Sequence, residues 1–460
     1  MKLKHVLTML LCAVLLVLGA SCGKGETSGT SGSSSAAATV ENAVPARSTA
    51  KRQKIEFWYH SADAASDAFF QKYFAKLNAS QDKYEVVYTS FAFADFQSKF
   101  QMAVMTDTMP DMVSLGFSNA ATFISQNSII ALDDYTDQIT DFDSIDENLL
   151  VGMRKIGNGK LYGIPFAYNQ EVAWYNTQRF AELGIGNPPM TQTEFLEYCK
   201  KYADPASSRY FYSLRGVRPY DSLVAWLWTY TDGLGYEGSW FDENGKCILR
   251  RSEFVDALNA YADIYKNKEV SGDSVNNNFS QIVAEFGSGV SAYIIHNSSS
   301  EPTHLKNLGA GNFAAARVLA NDKGNYFASG IQPNIYCITN KGANADYTGA
   351  LWLLSRLTDV EAESELCQVQ GRVPVNMGVQ QEQWFKEDPE MKLYMSYLSD
   401  PNYKQIDNPY WLAEFSTFIT DTMTADFQAV LMGDKSAAAC LKGWADLIDG
   451  YQAEYLSSLK

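Results

Sequence analysis

The first apolar run of the chain ends on Trp58, Tyr59 and His60, and a second aromatic and polar group lies at Trp226, Trp228, Tyr230 and Asp232. Ring faces beside groups that donate and accept hydrogen bonds suit a flat or ring-shaped solute with apolar faces and a polar rim. Aromatic residues make up 13% of the sequence, enough to leave rings over once a core is filled. Covalent and metal chemistry find no such support. Gly-x-Ser-x-Gly, His-Glu-x-x-His and a phosphate loop are absent from the sequence, and no motif places two of its many carboxylates about one scissile bond. Gly309-Ala-Gly-Asn-Phe-Ala314 fits a loose dinucleotide pattern, but no strand precedes it and Asn312 to Leu319 itself reads as a strand, so the match is chance. No catalytic residue, metal site or cofactor is expected.

The elements that must position these residues belong to a long chain. At 460 residues, one hydrophobic core gives way to two lobes. The apolar share of 46%, with 20% charged residues, is that of a globular protein, and a net charge of -16 repels phosphate backbones, which excludes nucleic acid as a partner. Lys2 and Lys4 precede an apolar run from Val6 to Gly19, too short to cross a bilayer but suited to a signal peptide over residues 1–21. Leu18-Gly19-Ala20-Ser21-Cys22 resembles a bacterial lipobox, although Gly19 stands where leucine is usual. Cys22 is thus the expected lipid attachment point, and residues 22–51, rich in Gly, Ser and Ala, form a flexible tether. Five cysteines remain: Cys199, Cys247, Cys337, Cys367 and Cys440. Their odd number and wide spacing argue for buried thiols rather than a disulfide framework or zinc site.

Periodicity predicts strands over Lys54 to Tyr59, Tyr84 to Tyr88 and Met112 to Leu115, with helices over Ala64 to Leu77, Phe93 to Met105 and Ala120 to Gln126. This β-α-β rhythm implies a mainly parallel sheet covered by helices. Such sheets bind ligands beyond the carboxyl ends of their strands, which makes the loops after Tyr59 and Leu115 site candidates. Ser118 and Asn119, in the second of these loops, either hydrogen-bond a ligand or cap a helix.

Six segments occur in a telling order: Met109-Pro-Asp-Met-Val113, Ile129-Ile-Ala-Leu-Asp-Asp134, Gly159-Lys-Leu-Tyr-Gly-Ile-Pro165, Trp174-Tyr-Asn176, Pro188-Pro-Met-Thr-Gln-Thr-Glu-Phe195 and Gly371-Arg-Val-Pro374. From about residue 52 onward the chain resembles the extracellular solute-binding proteins of family 1, which include maltose-binding protein and other sugar-binding components of ABC importers. Each segment also has a structural role: Gly159 and Gly163 suit turns and close approach, and Thr193 can cap the helix near Glu194.

The resemblance implies an α/β fold of the periplasmic binding protein-like II class. Two α/β lobes, joined by hinge strands, would close over a ligand cleft. Lobe 1 would take residues 52–166 and 327–372, and lobe 2 residues 167–326 and 373–460. The protein would be an exported, monomeric lipoprotein, held to the membrane by its lipid, which delivers a sugar to the transmembrane subunits of an ABC permease. The same resemblance puts Asn169 at a polar ligand contact with Tyr168 beside it, unless Asn169 serves only its own turn. Arg218-Pro219-Tyr220 stands where the family has an acid, a proline and an aromatic, so Arg218 points to a ligand with an acidic group. His296 and Asn297 follow a strand into a cleft loop that lacks the family's aromatic at Ser298 to Ser300.

The candidate ligand contacts are therefore His60, Asn119, Tyr168, Asn169, Arg218, Tyr220, Trp226, Asp232, His296, Asn297 and Arg372. Trp226 and Tyr230 share a helical face, a pattern that core packing produces equally well. Arg372 either faces the cleft or pairs with a surface acid. Three other readings stay open: a polyamine- or peptide-binding importer component using Glu171, Asp221 and Asp232, an exported glycosidase, and a lipoprotein adhesin or scaffold.

Overall fold

The computed structural model describes residues 51–232, 238–329 and 331–459. The expected signal peptide, Cys22 and all of the tether but Lys51 lie outside the described residues. Twelve strands form among them: β1 (Gln53–Tyr59), β2 (Tyr84–Ser90), β3 (Met112–Gly116), β4 (Ile164–Tyr168), β5 (Glu171–Asn176), β6 (Tyr210–Tyr212), β7 (Ser291–Asn297), β8 (Phe313–Ala316), β9 (Tyr326–Ser329), β10 (Pro333–Ile338), β11 (Val373–Pro374) and β12 (Tyr403–Ile406). One sheet has the order β11-β4-β10-β3-β1-β2, a second β6-β7-β5-β8, and a small third pairs β12 with β9.

The first sheet is built as the alternation in β1 dictates. Ile55, Phe57 and Tyr59 are buried while Lys54 and Glu56 are exposed, and β1 runs parallel to both β2 and β3. Helix Ala64–Ser80 starts where the Asp63 carboxylate accepts the N–H groups of Ala65 and Ser66. It buries Phe69, Phe70, Tyr73, Phe74 and Leu77, spaced to share one face. The helix expected over Phe93 to Met105 forms over that range.

The sheet is mixed rather than mainly parallel. β10 runs antiparallel between β3 and β4, and β11 antiparallel beside β4. β10 follows β9 of the third sheet with no helix between them, and β11 follows β10 through helices Thr348–Leu357 and Val360–Gln370, a crossover that leaves these two strands parallel to each other and opposed to β4 between them. A second correction concerns a cap. Thr191, not Thr193, closes a capping box with Glu194 at the start of helix Gln192–Lys201. Thr193 already lies in the first turn, and its hydroxyl donates to Asp322 at 2.9 Å.

Much of the aromatic surplus goes into packing. Trp174, Trp240 and Trp444 are fully buried, and Phe57 contacts the rings of Phe70, Phe74, Tyr88 and Tyr336. Cys199, Cys247, Cys337, Cys367 and Cys440 are all buried and unpaired. Among the described residues no helix is long and apolar enough to cross a membrane.

Candidate functional site

Three neighbouring strands of the first sheet converge on His60. Its backbone N–H donates to Ser114 Oγ at 3.0 Å, its Nδ1 lies 2.7 Å from the same oxygen, and its Nε2 lies 3.0 Å from Asn334 Oδ1. Burial, reinforced by the charge of Arg372, pulls the imidazole down to about 3, so the ring is neutral at physiological pH. Tyr59 points to the opposite face, where its hydroxyl accepts from Gln370 Nε2 at 2.7 Å and Arg372 Nη1 at 3.3 Å. Arg372 is only 5% exposed. Its Nε has no partner, and among the described residues no carboxylate forms an ion pair with it. The surface pairing considered for Arg372 is therefore absent.

The chain leaves the first sheet at Tyr168 and enters the second at Glu171. Tyr168 is buried, paired with Pro333 on one side and Val373 on the other. Asn169 Oδ1 and both carboxylate oxygens of Glu171 are buried without a partner. Burial, then repulsion from Asp221, pushes the Glu171 carboxyl up to about 8. Glu171 lines an inner cavity with Ser222, Trp226 and Tyr261.

The segment before helix Tyr220–Tyr230 supplies a further group. Arg218 holds a left-handed backbone, φ 51°, a conformation that bulky residues adopt at a cost and that recurs at ligand sites. The Thr424 hydroxyl accepts its N–H at 2.9 Å, and its carbonyl accepts from Arg215 Nε at 2.6 Å. Its guanidinium lies over the Phe93 ring, 5.9 Å from the centroid, and Phe93 in turn stands 6.1 Å from the His60 ring. Nearby, the hydroxyls of Tyr220 and Tyr410 are 2.9 Å apart. The Phe117 ring meets Tyr410 edge-on at 5.5 Å, and the Ser416 hydroxyl donates to Asn119 Oδ1. Rings, hydroxyls and amides thus gather where β1 and β3 end. That arrangement can hold a polar solute.

Residues 72–393, more than half of the sequence, match the family described as bacterial extracellular solute-binding protein. The chain belongs to that family. Several solved structures share its fold. The Thermotoga lettingae ABC transporter solute-binding protein bound with α-D-tagatose matches at TM-score 0.75 and 17% identity, over 87% of this chain and 100% of that one. The GacH receptor of Streptomyces glaucescens, solved unliganded and with acarbose, matches at TM-score 0.75 and 18% identity, over 88% and 100%. The maltose/maltodextrin-binding domain MalE of Bdellovibrio bacteriovorus bound to maltotriose gives 0.71 and 18%, over 87% and 100%. The fold is accordingly that of the two-lobed α/β binding proteins. A comparison with curated proteins gives no match.

Within this solute-binding protein, the residues expected from sequence fall into separate places. His60 and Arg372 flank Tyr59. Arg218 joins them through Phe93, whose ring also approaches Gly116, one residue before Phe117. Asn119 and Tyr220 join through the segment that carries Tyr410 and Ser416. Asn119 makes no side-chain cap. His296 is buried against the Phe279 ring at 3.9 Å, and Asn297 Oδ1 accepts from the Ser299 hydroxyl at 2.7 Å. Trp226 packs against Phe195 and Tyr261 and donates to the Ala257 carbonyl at 2.8 Å. Asp232 accepts the side-chain amides of Asn321 and Asn325 at 2.9 Å each. Sequence reasoning missed Ser114, Asn334, Tyr410 and Ser416. No local motif marks them, because each acquires its role from a partner more than fifty residues away.

Proposed function

We propose that this protein captures a carbohydrate by closing its lobes over it and hands it, chemically unchanged, to the transmembrane subunits of an ABC importer. The observation that carries this reading is the junction of Tyr220, Tyr410 and Phe117, where ring faces and paired hydroxyls meet beside the Asn119 amide. Sugars need that combination of apolar faces and bidentate polar groups. Support comes from the structural relatives, whose bound ligands are tagatose, acarbose and maltotriose.

The lobes of this reading are residues 52–166 with 327–372, and 167–326 with 373–460, and the chain acts as a monomer. Cys22 carries the lipid that holds the exported protein to the membrane, with residues 22–51 as tether. His60, Asn119, Tyr168, Asn169, Arg218, Tyr220, His296, Asn297 and Arg372 contact the solute, with Trp226 and Asp232 supporting them from behind.

A panel of mono- and oligosaccharides, acidic sugars, polyamines and peptides, read by thermal shift, tests the assignment. A solute that binds only the folded form stabilises it by about 2.7 kcal/mol at a hundredfold excess over Kd. A sugar must raise the melting temperature and be recovered intact. A shift with polyamines alone, or cleavage of an oligosaccharide, would overturn the reading.

A further inference from the structure

The proposed sugar site contains one guanidinium group, Arg218, that makes no ion pair among the described residues, and a second, Arg372, stands behind it on the Tyr59 face. Arg372 is 5% exposed, yet among the described residues its guanidinium donates to the Tyr59 hydroxyl and forms no ion pair. Arg218, part-buried on a left-handed backbone, lies over the Phe93 ring and makes no ion pair among the described residues. An arginine cannot shed its proton to escape burial, so an unpaired one leaves a charge with poor solvation. This happens in a chain with 53 acidic and 37 basic residues, where a carboxylate partner was abundant.

The nearby acids do not supply that charge: Glu363, buried on the helix that leads to Arg372, accepts the N–H groups of Val375 and Asn376 at 2.6 and 2.9 Å, and burial pushes its carboxyl up to about 8. Asp221 is engaged by Arg215 at 3.7 Å, and Asp232 by two asparagine amides. Glu171 lies on the inner face of the second sheet among Ser222, Trp226 and Tyr261, and burial keeps it protonated at neutral pH. The two arginines are linked through one ring cluster: Arg372 to Tyr59, Tyr59 to His60 at 5.4 Å, His60 to Phe93 and Phe93 to Arg218. His60 between them is a neutral donor or acceptor, suited to a hydroxyl rather than a second charge.

We infer that the solute is an acidic sugar, whose carboxylate is received by Arg218 within the field of Arg372 while its hydroxyls meet His60 and the Tyr220 and Tyr410 hydroxyls. This rests on the carbohydrate reading above. It narrows that reading to carboxylate-bearing saccharides and excludes cationic solutes, since a protonated amine would meet the unbalanced charge of Arg218.

The test uses the full chain and matched pairs: glucuronate with glucose, galacturonate with galactose, N-acetylneuraminate with N-acetylmannosamine, and oligomers of the first two acids with their neutral counterparts. Thermal shift selects the pair with the largest effect, and isothermal titration calorimetry gives both affinities. The acidic member of that pair should bind at least about tenfold tighter than its neutral partner, the range of one charge-assisted contact. Arg218→Gln should bring that ratio to within about threefold, whereas Arg218→Lys should keep part of it. Arg372→Gln should lower it too, with circular dichroism confirming the fold, but a failure of that variant to fold leaves the decision with Arg218. Neutral members binding as tightly as acidic ones would overturn the inference and leave the sugar reading standing. An unchanged ratio in Arg218→Gln would also overturn it. Silence from every pair overturns it as well, and the wider reading falls too if the neutral oligosaccharides of the general panel are equally silent.

Discussion

The hydroxyl of Tyr220 lies 2.9 Å from that of Tyr410, although 190 residues separate them. The first opens a helix of eleven residues, and the second belongs to a loop between β12 and the C-terminal helices. Both rings also contact Phe415, so the hydroxyl pair sits on a rigid aromatic base. Removing one hydroxyl takes from the other its nearest partner, although Tyr410 keeps a long contact from Asn408 Nδ2 at 3.4 Å. Tyr220→Phe and Tyr410→Phe should each cost about 1 kcal/mol of stability. The double variant should cost less than the sum, and a urea-denaturation double-mutant cycle measures the difference. Strictly additive losses would mean that the pair does not interact in solution.

Stability should decline toward both acid and alkaline pH for separate, named reasons. His60 and His304 are pulled by burial from 6.5 to about 3. Below pH 6.5 the unfolded chain takes up protons that the folded form refuses, so stability falls as pH drops, by about 1.4 kcal/mol per unit for each such group. Glu171 acts with the opposite sign. Its folded-state value is raised from 4.5 to about 8, so its contribution is fully present below pH 4.5 and is lost as pH rises toward 8. Denaturation curves from pH 4 to 9 should show His60→Gln with a shallower acid limb and Glu171→Gln with a shallower alkaline one. An unchanged slope in either variant refutes that assignment.

Gly163 should tolerate no side chain. A Cβ there would stand 2.9 Å from Cys337 Sγ and 3.1 Å from the Tyr336 carbonyl, on the residue that leads into β4. Gly163→Ala should destabilise the protein by about 2 kcal/mol through overpacking, seen as a lowered thermal midpoint. Gly152→Ala, where the added methyl meets nothing within 4 Å, is the control and should leave the midpoint unchanged or raised.

The five cysteines should resist thiol reagents until the protein unfolds. All are buried, and burial drives their thiols upward: Cys247 to about 12, Cys199 and Cys367 well above the ordinary value. Too little thiolate forms at neutral pH, and no reagent reaches it. A chain beginning at Lys51 should react with no equivalent of a thiol-disulfide reagent when native and with five in denaturant. Rapid native labelling would show that one of these sites opens.

Local order was readable because it depends on near neighbours. The spacing of Phe96, Phe100 and Val104 marked helix Phe93–Met105, and the alternation around Phe57 marked β1. Directions were less accessible. β10 looked like any apolar strand, and nothing in Pro333–Ile338 says that it enters antiparallel between β3 and β4. The cap at Thr191 was displaced by two residues, because two threonines stand within four residues of Phe195 and only the backbone decides which hydroxyl faces a free N–H.

The sequence by itself determined the α/β alternation, the buried free thiols, the family likeness carried by six ordered segments, and the presence of arginine at position 218. These follow from residue type and short spacing, which a chain displays before it folds. Only the tertiary structure decided that Trp226 and Asp232 face inward to packing and turn partners while His60 is held neutral between Ser114 and Asn334. It also decided that Arg372 finds a tyrosine and no acid. Burial and pairing depend on which distant segment arrives alongside, and no local pattern encodes that meeting.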